Sequence, residues 1–141
     1  WETVADGSLE TWNSLYELNL RTVVSSCRAA LPHLPSERGR IINIGAAGAQ
    51  KAAAGMGAYA ASKAGVMRLT EALAEELKDR GITVNALLPS IIDTPANRAD
   101  MPKADFGKWV KPEQLADVIV FLLSSKSQAI TGALLPVTGR V

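Results

Sequence analysis

GRIINIGAAGAQKAAAGMGAYAASKAGVMRLTEALAEELKDRGITVNALLPS runs from Gly39 to Ser90, and its reading decides the fold. Ile41-Ile42-Asn43-Ile44 is a short β-branched run of the kind found in strands buried on both faces. Residues 45–57 are rich in Gly and Ala and read as a loop. From Ala58 to Lys78 the apolar residues Val66, Leu69, Leu73 and Leu77 fall on one stripe, which predicts a long helix. Gly81 stands where a left-handed residue ends such a helix. Ile82 to Leu88 is a second buried strand, closed by Pro89.

Upstream, Ser8 is placed to cap a helix, with Glu10 in a first turn that the helix dipole makes favourable to acids. Trp12, Leu15, Tyr16, Leu20, Val23, Val24, Cys27, Ala30, Leu31 and Leu34 then recur at helical spacing, until Pro32 and Pro35 end the helix. Downstream, residues 90–110 hold Pro95, Pro102 and Gly107 without a clear period and read as an irregular segment on the substrate side. Pro112 opens a third helix running to about Ser124, with Leu115, Val118, Ile119, Leu122 and Leu123 as its apolar face. Leu134 to Val137 is a last short strand.

Strict alternation of helix and strand predicts an α/β fold, a doubly wound, Rossmann-like parallel sheet with helices on both faces. Three strands are few for such a sheet, and its edge is expected at the first of them. No glycine-rich phosphate turn of the G-x-G-x-x-G or G-x-x-x-G-x-G kind stands between a strand and a helix. The sequence also opens on Trp1 rather than Met. These features predict that residues 1–141 are the C-terminal catalytic half of a single domain, whose N-terminal βαβ units lie outside this chain.

The 141 residues are 48% apolar and 21% charged, as in an ordinary globular domain. A net charge of +1 with 15 scattered basic residues gives nucleic acid or an anionic membrane surface nothing to bind. No apolar run approaches the ~20 residues needed to span a bilayer. The single Cys27 excludes an internal disulfide and fits a reducing, cytoplasmic setting. No metal site is expected. His33, between two prolines, reads as a solvated loop residue, Cys27 as a packing residue, and Trp12 as core or interface. Arg98, Asp100, Lys103 and Asp105 read as a solvated face.

Chemistry concentrates at Tyr59-Ala-Ala-Ser-Lys63. Residues four apart share a helix face, and an ammonium beside a phenol favours the phenolate and lowers its pKa. A tyrosine so tuned exchanges protons near neutral pH. A half-buried core tyrosine beside an unrelated surface lysine satisfies the same spacing.

Several segments in order carry a resemblance: Asn19 in YELNLRT, GRIINI, YAASKAGVMRLTEALAEEL, GITVNALLPS and TGALLPVTG. Together the chain resembles the short-chain dehydrogenase/reductase family along nearly its whole length. The resemblance implies NAD or NADP as cofactor and a small-molecule substrate. It implies Tyr59 as the proton-transfer residue and Lys63 as the group that tunes it and holds the nicotinamide ribose. Asn19 would sit at a helix irregularity and help order a relay water near the lysine. Pro89, Ser90, Ile92 and Thr94 would border the nicotinamide. It also implies a homodimer or homotetramer built on the two long helices.

The sequence departs from the family pattern at two places. Thirteen residues before the tyrosine the family usually carries a catalytic serine, and position 46 is Ala46. The strand after the catalytic helix usually ends in Pro-Gly, and here it ends in Pro89-Ser90. Residues Leu88 to Arg98, with Met101-Pro102, Ala104-Asp105-Phe106 and Trp109, look like those of dihydropteridine reductases, which also lack the serine and reduce a conjugated imine-like ring. That branch resemblance implies a C=N substrate. The alternative is a catalytically weak homologue serving as a binding or assembly protein.

Overall fold

The computed structural model describes residues 1–141. Three parallel strands form one sheet in the order β1 (Arg40–Ile44), β2 (Thr83–Pro89), β3 (Leu134–Val137). Ile44 lies opposite Leu87 across β1 and β2, and Pro89 lies opposite Val137 across β2 and β3. All seven residues of the central strand β2 are buried, the polar Thr83 and Asn85 among them. Both β1 and β3 keep one unpaired edge, so the sheet has two edges where the sequence pointed to one.

The pleat sends alternate side chains to opposite faces. On one face Val84 packs with Cys27 of α2 (Thr22–Ala30) and with Leu73, Ala74 and Leu77 of α3 (Gly57–Leu77). On the other, Leu87 packs with Leu115 and Leu122 of α5 (Pro112–Leu123). Helices therefore cover both faces, the doubly wound arrangement expected. Two buried asparagines secure the layers. Asn43 of β1 donates to Thr70 Oγ1 of α3 at 3.0 Å. Asn85 of β2 donates to the Ile130 carbonyl at 2.9 Å and accepts from the Ala133 N–H at 3.0 Å, fixing the approach to β3. Leaving either amide without partners would cost about 1–3 kcal/mol per group.

Three details differ from the sequence reading. The first long helix is interrupted: α1 (Leu9–Tyr16), capped by Ser8, passes into a π-turn at Glu17–Arg21 before α2 begins. Residues 90–110 contain a short helix, α4 (Pro95–Asp100), capped by the Thr94 hydroxyl, and a 3-10 turn at Phe106–Lys108. Leu123, assigned to the apolar face of α5, is half exposed, because the helix ends there and turns it away from the sheet. Gly81 takes the left-handed conformation expected of it, at φ 63°, one residue after a 3-10 turn closes α3.

Candidate active site

The site gathers at the C-terminal ends of β1 and β2, where α3 begins. Met56 precedes the first turn of α3, and Gly57 opens it under the Trp12 indole, which a Cβ there would meet at 3.4 Å. Tyr59 follows in the first turn, 36% exposed, and Lys63 stands one turn later. Lys63 Nζ donates to the Ile44 carbonyl at the end of β1, at 3.1 Å. The chain then continues its pairing through Gly45, whose N–H donates to the Leu87 carbonyl at 2.8 Å. A Cβ at Gly45 would lie 2.5 Å from a Leu88 methyl, so any larger residue there requires the buried Leu88 side chain to shift.

Asn19 lies in the π-turn, the helix irregularity that the resemblance implied. Its Nδ2 donates to Ser62 Oγ at 3.0 Å, and Ser62 Oγ donates to the Tyr59 carbonyl at 2.7 Å. The asparagine is thus tied to the turn of α3 that carries Tyr59. Single π-turns inside helices recur at functional sites, because the extra residue frees backbone groups from the regular ladder. Asn19, Asn43, Ile44 and Lys63 line one cleft of about 310 Å³.

Tyr59 lines a second cavity, of about 300 Å³, with Ala46, Met56, Pro89 and Ser90. Ala46 is buried, at 7% exposure, and supplies no hydrogen-bonding group. Ser90 Oγ donates to the Thr138 carbonyl at 2.8 Å, so its proton is already committed. The structure therefore brings Tyr59, Ala46, Pro89 and Ser90 together, with Lys63 and Asn19 in the adjoining cleft.

It places the other two sequence candidates elsewhere. Ile92 bridges to Val110 and packs into the core on the α5 side of the sheet. The Thr94 hydroxyl accepts the Asn97 N–H at 3.2 Å and faces a polar groove beside Asp93, Arg98 and Lys111. The expected solvated face at Arg98 is also more organised than its composition suggested. Arg98 grips Asp93 with two bonds of 2.6 and 2.8 Å and lies 4.8 Å from the Phe106 ring centroid. The hydrogen bond from Arg98 holds the Asp93 carboxyl below its ordinary pKa.

Electrostatics depart from the sequence expectation. Burial pushes the Tyr59 phenol above its ordinary pKa, and burial pushes the Lys63 ammonium below its own. The expected lowering of the phenol pKa by Lys63 is absent. The lysine nitrogen is instead engaged by a backbone carbonyl.

Sequence reasoning missed Trp1, Leu15 and Met56 around Tyr59. Leu15 carried a signal in its helical period, but the approach of Trp1 to Gly55 had none. No group of three or more His, Cys, Asp or Glu side chains is placed to hold a metal. No helix is long and apolar enough to cross a membrane.

Residues 2–139 match the family described as enoyl-(acyl carrier protein) reductase. The chain belongs to the short-chain dehydrogenase/reductase family. Within that family, a 3-oxoacyl-(acyl-carrier-protein) reductase of Thermotoga maritima is 34% identical over 139 residues, matching 92% of this chain and 56% of the relative. The enzyme of the same name from Pseudomonas aeruginosa is 37% identical over 140 residues, matching 92% and 56%. This chain spans little more than half the length of these curated relatives.

Solved structures agree. A 3-oxoacyl-(acyl-carrier protein) reductase from Brucella melitensis with bound NAD superimposes with a TM-score of 0.85 at 28% identity, covering 99% of this chain and 55% of that one. A short-chain oxidoreductase from Pseudomonas aeruginosa PAO1, bound to NADPH and described as having an atypical catalytic center, gives 0.86 at 26% identity, covering 98% and 60%. The dihydropteridine reductase branch, expected from residues 88–109, gains no support from these relatives.

Proposed function

We propose that this chain is the catalytic half of an NAD(P)-dependent oxidoreductase that reduces the C=O or C=N bond of a small substrate. The observation that carries the reading is the convergence of Tyr59, Ala46, Pro89 and Ser90 on one cavity, with Lys63 and Asn19 in the cleft beside it.

A bound nicotinamide supplies the hydride. The residues present fit such a group. Lys63 spends one N–H on Ile44 and has two more to offer a ribose hydroxyl. Pro89 and Ser90 end β2 at the cavity, where open α/β sheets take ligands. Bound NAD in one structural neighbour and NADPH in another support either dinucleotide.

In this reading Tyr59 gives its phenolic proton to the substrate heteroatom as the adjacent carbon takes the hydride. The raised pKa keeps that proton in place through neutral pH. Lys63 and Asn19 line the neighbouring cleft, from which the proton returns in this reading.

The relatives' names favour a 3-oxoacyl or similar ketone substrate. One observation favours a second reading. Ala46 leaves the cavity without the side-chain donor that would hold a ketone oxygen, whereas a conjugated C=N ring of the dihydropterin kind carries its own donors and acceptors. Loss of the nicotinamide absorbance band, followed with a 3-oxo thioester and with quinonoid dihydropterin, separates the two. Oxidation of neither NADH nor NADPH by either substrate would overturn both and favour a binding or assembly homologue.

The full assembly is proposed to be a homodimer or homotetramer. Exposed Leu9, Tyr16 and Leu18 along the first helical segment support it, and sedimentation as a monomer at micromolar concentration would refute it.

A further inference from the structure

A ring of hydrogen bonds closes around the root of the substrate-side segment, residues 90–110. Ser90 and Ile91, which begin that segment, line the catalytic cavity. Ser90 Oγ donates to the Thr138 carbonyl at 2.8 Å, and the Ser90 N–H donates to the Val137 carbonyl at 3.3 Å. Two residues after Thr138, the Arg140 N–H donates to the Lys108 carbonyl at 2.9 Å, and Arg140 Nη2 donates to the Gly107 carbonyl at 2.7 Å. Two residues after Lys108, the Val110 N–H donates to the Ile91 carbonyl at 3.0 Å. The circuit runs from Ser90 to Thr138, along the chain to Arg140, across to Lys108, along to Val110 and back to Ile91.

The turn that follows β3 is shaped for this contact. The Val141 N–H donates to the Thr138 carbonyl at 3.3 Å, which folds residues 138–141, and Gly139 takes φ 63°. A Cβ on Gly139 would lie 2.7 Å from the Lys108 carbonyl oxygen, a backbone atom that has no rotamer to escape into. The returning leg is itself well anchored. The Asp105 carboxylate accepts the Gly107 N–H at 3.1 Å, Trp109 is buried, and the Asp93 N–H donates to the Val110 carbonyl at 2.7 Å. The anchored leg therefore positions the leg that borders the cavity, through two links: the direct pairing at Val110 and the turn at Thr138–Arg140.

Resting on the reductase reading above, we propose that the Thr138–Arg140 turn is a clasp that holds the Ser90–Ile91 wall of the catalytic cavity in its substrate-ready position, with Gly139 and Arg140 as positioning residues. Neither lines the cavity; both act through the ring. When the clasp opens, the wall loosens and fewer molecules are ready to bind. Apparent affinity falls with that fraction, whereas a substrate once bound restores the wall and reacts at the ordinary rate. The signature is a raised KM at constant kcat. A contact that served stability alone would lower the amount of folded enzyme, and so the rate per mole, at constant KM.

The test joins hydrogen exchange to kinetics in the intact enzyme. A side chain at a left-handed position shifts an equilibrium by about 5–30-fold, so Gly139→Ala should speed exchange of the Ser90 and Val110 amides by about that factor. Both amides lie in the ring and far from residue 139 in sequence. Arg140 is exposed, and Arg140→Ala removes one side-chain bond without disturbing the core. It should speed the same amides about two- to fivefold, and Arg140→Lys, which keeps a donor for Gly107, should restore them. With NADH or NADPH and either a 3-oxo thioester or quinonoid dihydropterin, KM should rise in both alanine variants by no more than exchange does. Their kcat should hold, and the lysine variant should return to the wild-type KM.

Unchanged exchange at Ser90 and Val110 in both alanine variants would overturn the proposal, as would faster exchange with an unchanged KM. In those cases the reductase reading stands. Faster exchange in the alanine variants, with no reduction of either substrate by the wild type, would instead retain the clasp and remove the reductase reading.

Discussion

Ala46→Ser puts a hydroxyl at the one point in the catalytic cavity where the family usually carries one. The substitution should be cheap. Residue 46 is extended, at φ −155° and ψ 140°, a conformation any residue adopts, and its side chain borders a cavity of about 300 Å³ that has room for one oxygen. The new hydroxyl stands among the groups that converge on Tyr59 and can donate to a substrate oxygen. One well-aimed donor to a developing oxyanion is worth about 10²–10³ in rate, or ~2.7–4 kcal/mol of transition-state stabilisation. Efficiency toward a 3-oxo thioester should therefore rise by about 10²-fold in the variant. Efficiency toward quinonoid dihydropterin should stay level or fall slightly from crowding. The measurement is the ratio of the two kcat/KM values, by nicotinamide absorbance, in wild type and variant. An unchanged ratio would refute the reasoning. Efficient ketone reduction by the wild type would show that another group already holds the oxygen.

Three more perturbations probe the same arrangement. Tyr59→Phe keeps the ring and removes the proton, so turnover should drop about 10²–10⁴-fold with cofactor affinity nearly intact, whereas Lys63→Ala should weaken both; small and equal losses would make the pair structural. Burial raises the Tyr59 pKa, so the phenol should ionise only above the ordinary tyrosine range and reduction should hold its rate through neutral pH, failing on the alkaline side. The phenolate absorbance difference between wild type and Tyr59→Phe reports that midpoint, and a value below the ordinary range would restore Lys63 as the dominant influence. Leu122→Ala empties a fully buried site between α5 and the sheet, outside the lining of the cavity at Tyr59, and should cost about 2–5 kcal/mol in a denaturant melt.

The strands were legible because each is short, largely apolar and punctuated by glycine or proline; the burial expected of the first strand holds throughout only in β2, because β1 and β3 lie at the sheet's two edges and Ile44 is exposed. Tyr59 and Lys63 were legible because their spacing is local. What escaped depends on contacts across the chain or on geometry finer than a period. The six residues of α4 are too few to show helical spacing, although Thr94-Pro95 carried a cap signal in plain view. Ile92 was assigned to the cofactor by position, and that its β-branched side chain packs against the hydrophobic core was not visible from position alone. The pKa argument for Tyr59 took adjacency on a helix face for electrostatic contact. It did not foresee that the Ile44 carbonyl, nineteen residues away in sequence, would engage the lysine.

The π-turn at Glu17–Arg21 has a consequence for the whole N-terminal third of the chain. It spends one residue more than a regular helix would, and one residue of helix is about 100° of rotation. Everything before it is therefore turned by that angle relative to everything after it. After the turn, Cys27 faces the sheet; before it, Trp12 faces Gly57 and Leu15 faces the cleft beside Tyr59. A regular helix drawn through the same letters could aim one of these groups correctly but would swing the other away. Deleting a single residue there would leave the composition almost untouched and unscrew the wall from the active site. The shape of the cleft beside Tyr59 is in this sense an angle, set by counting, ahead of any side chain that lines it.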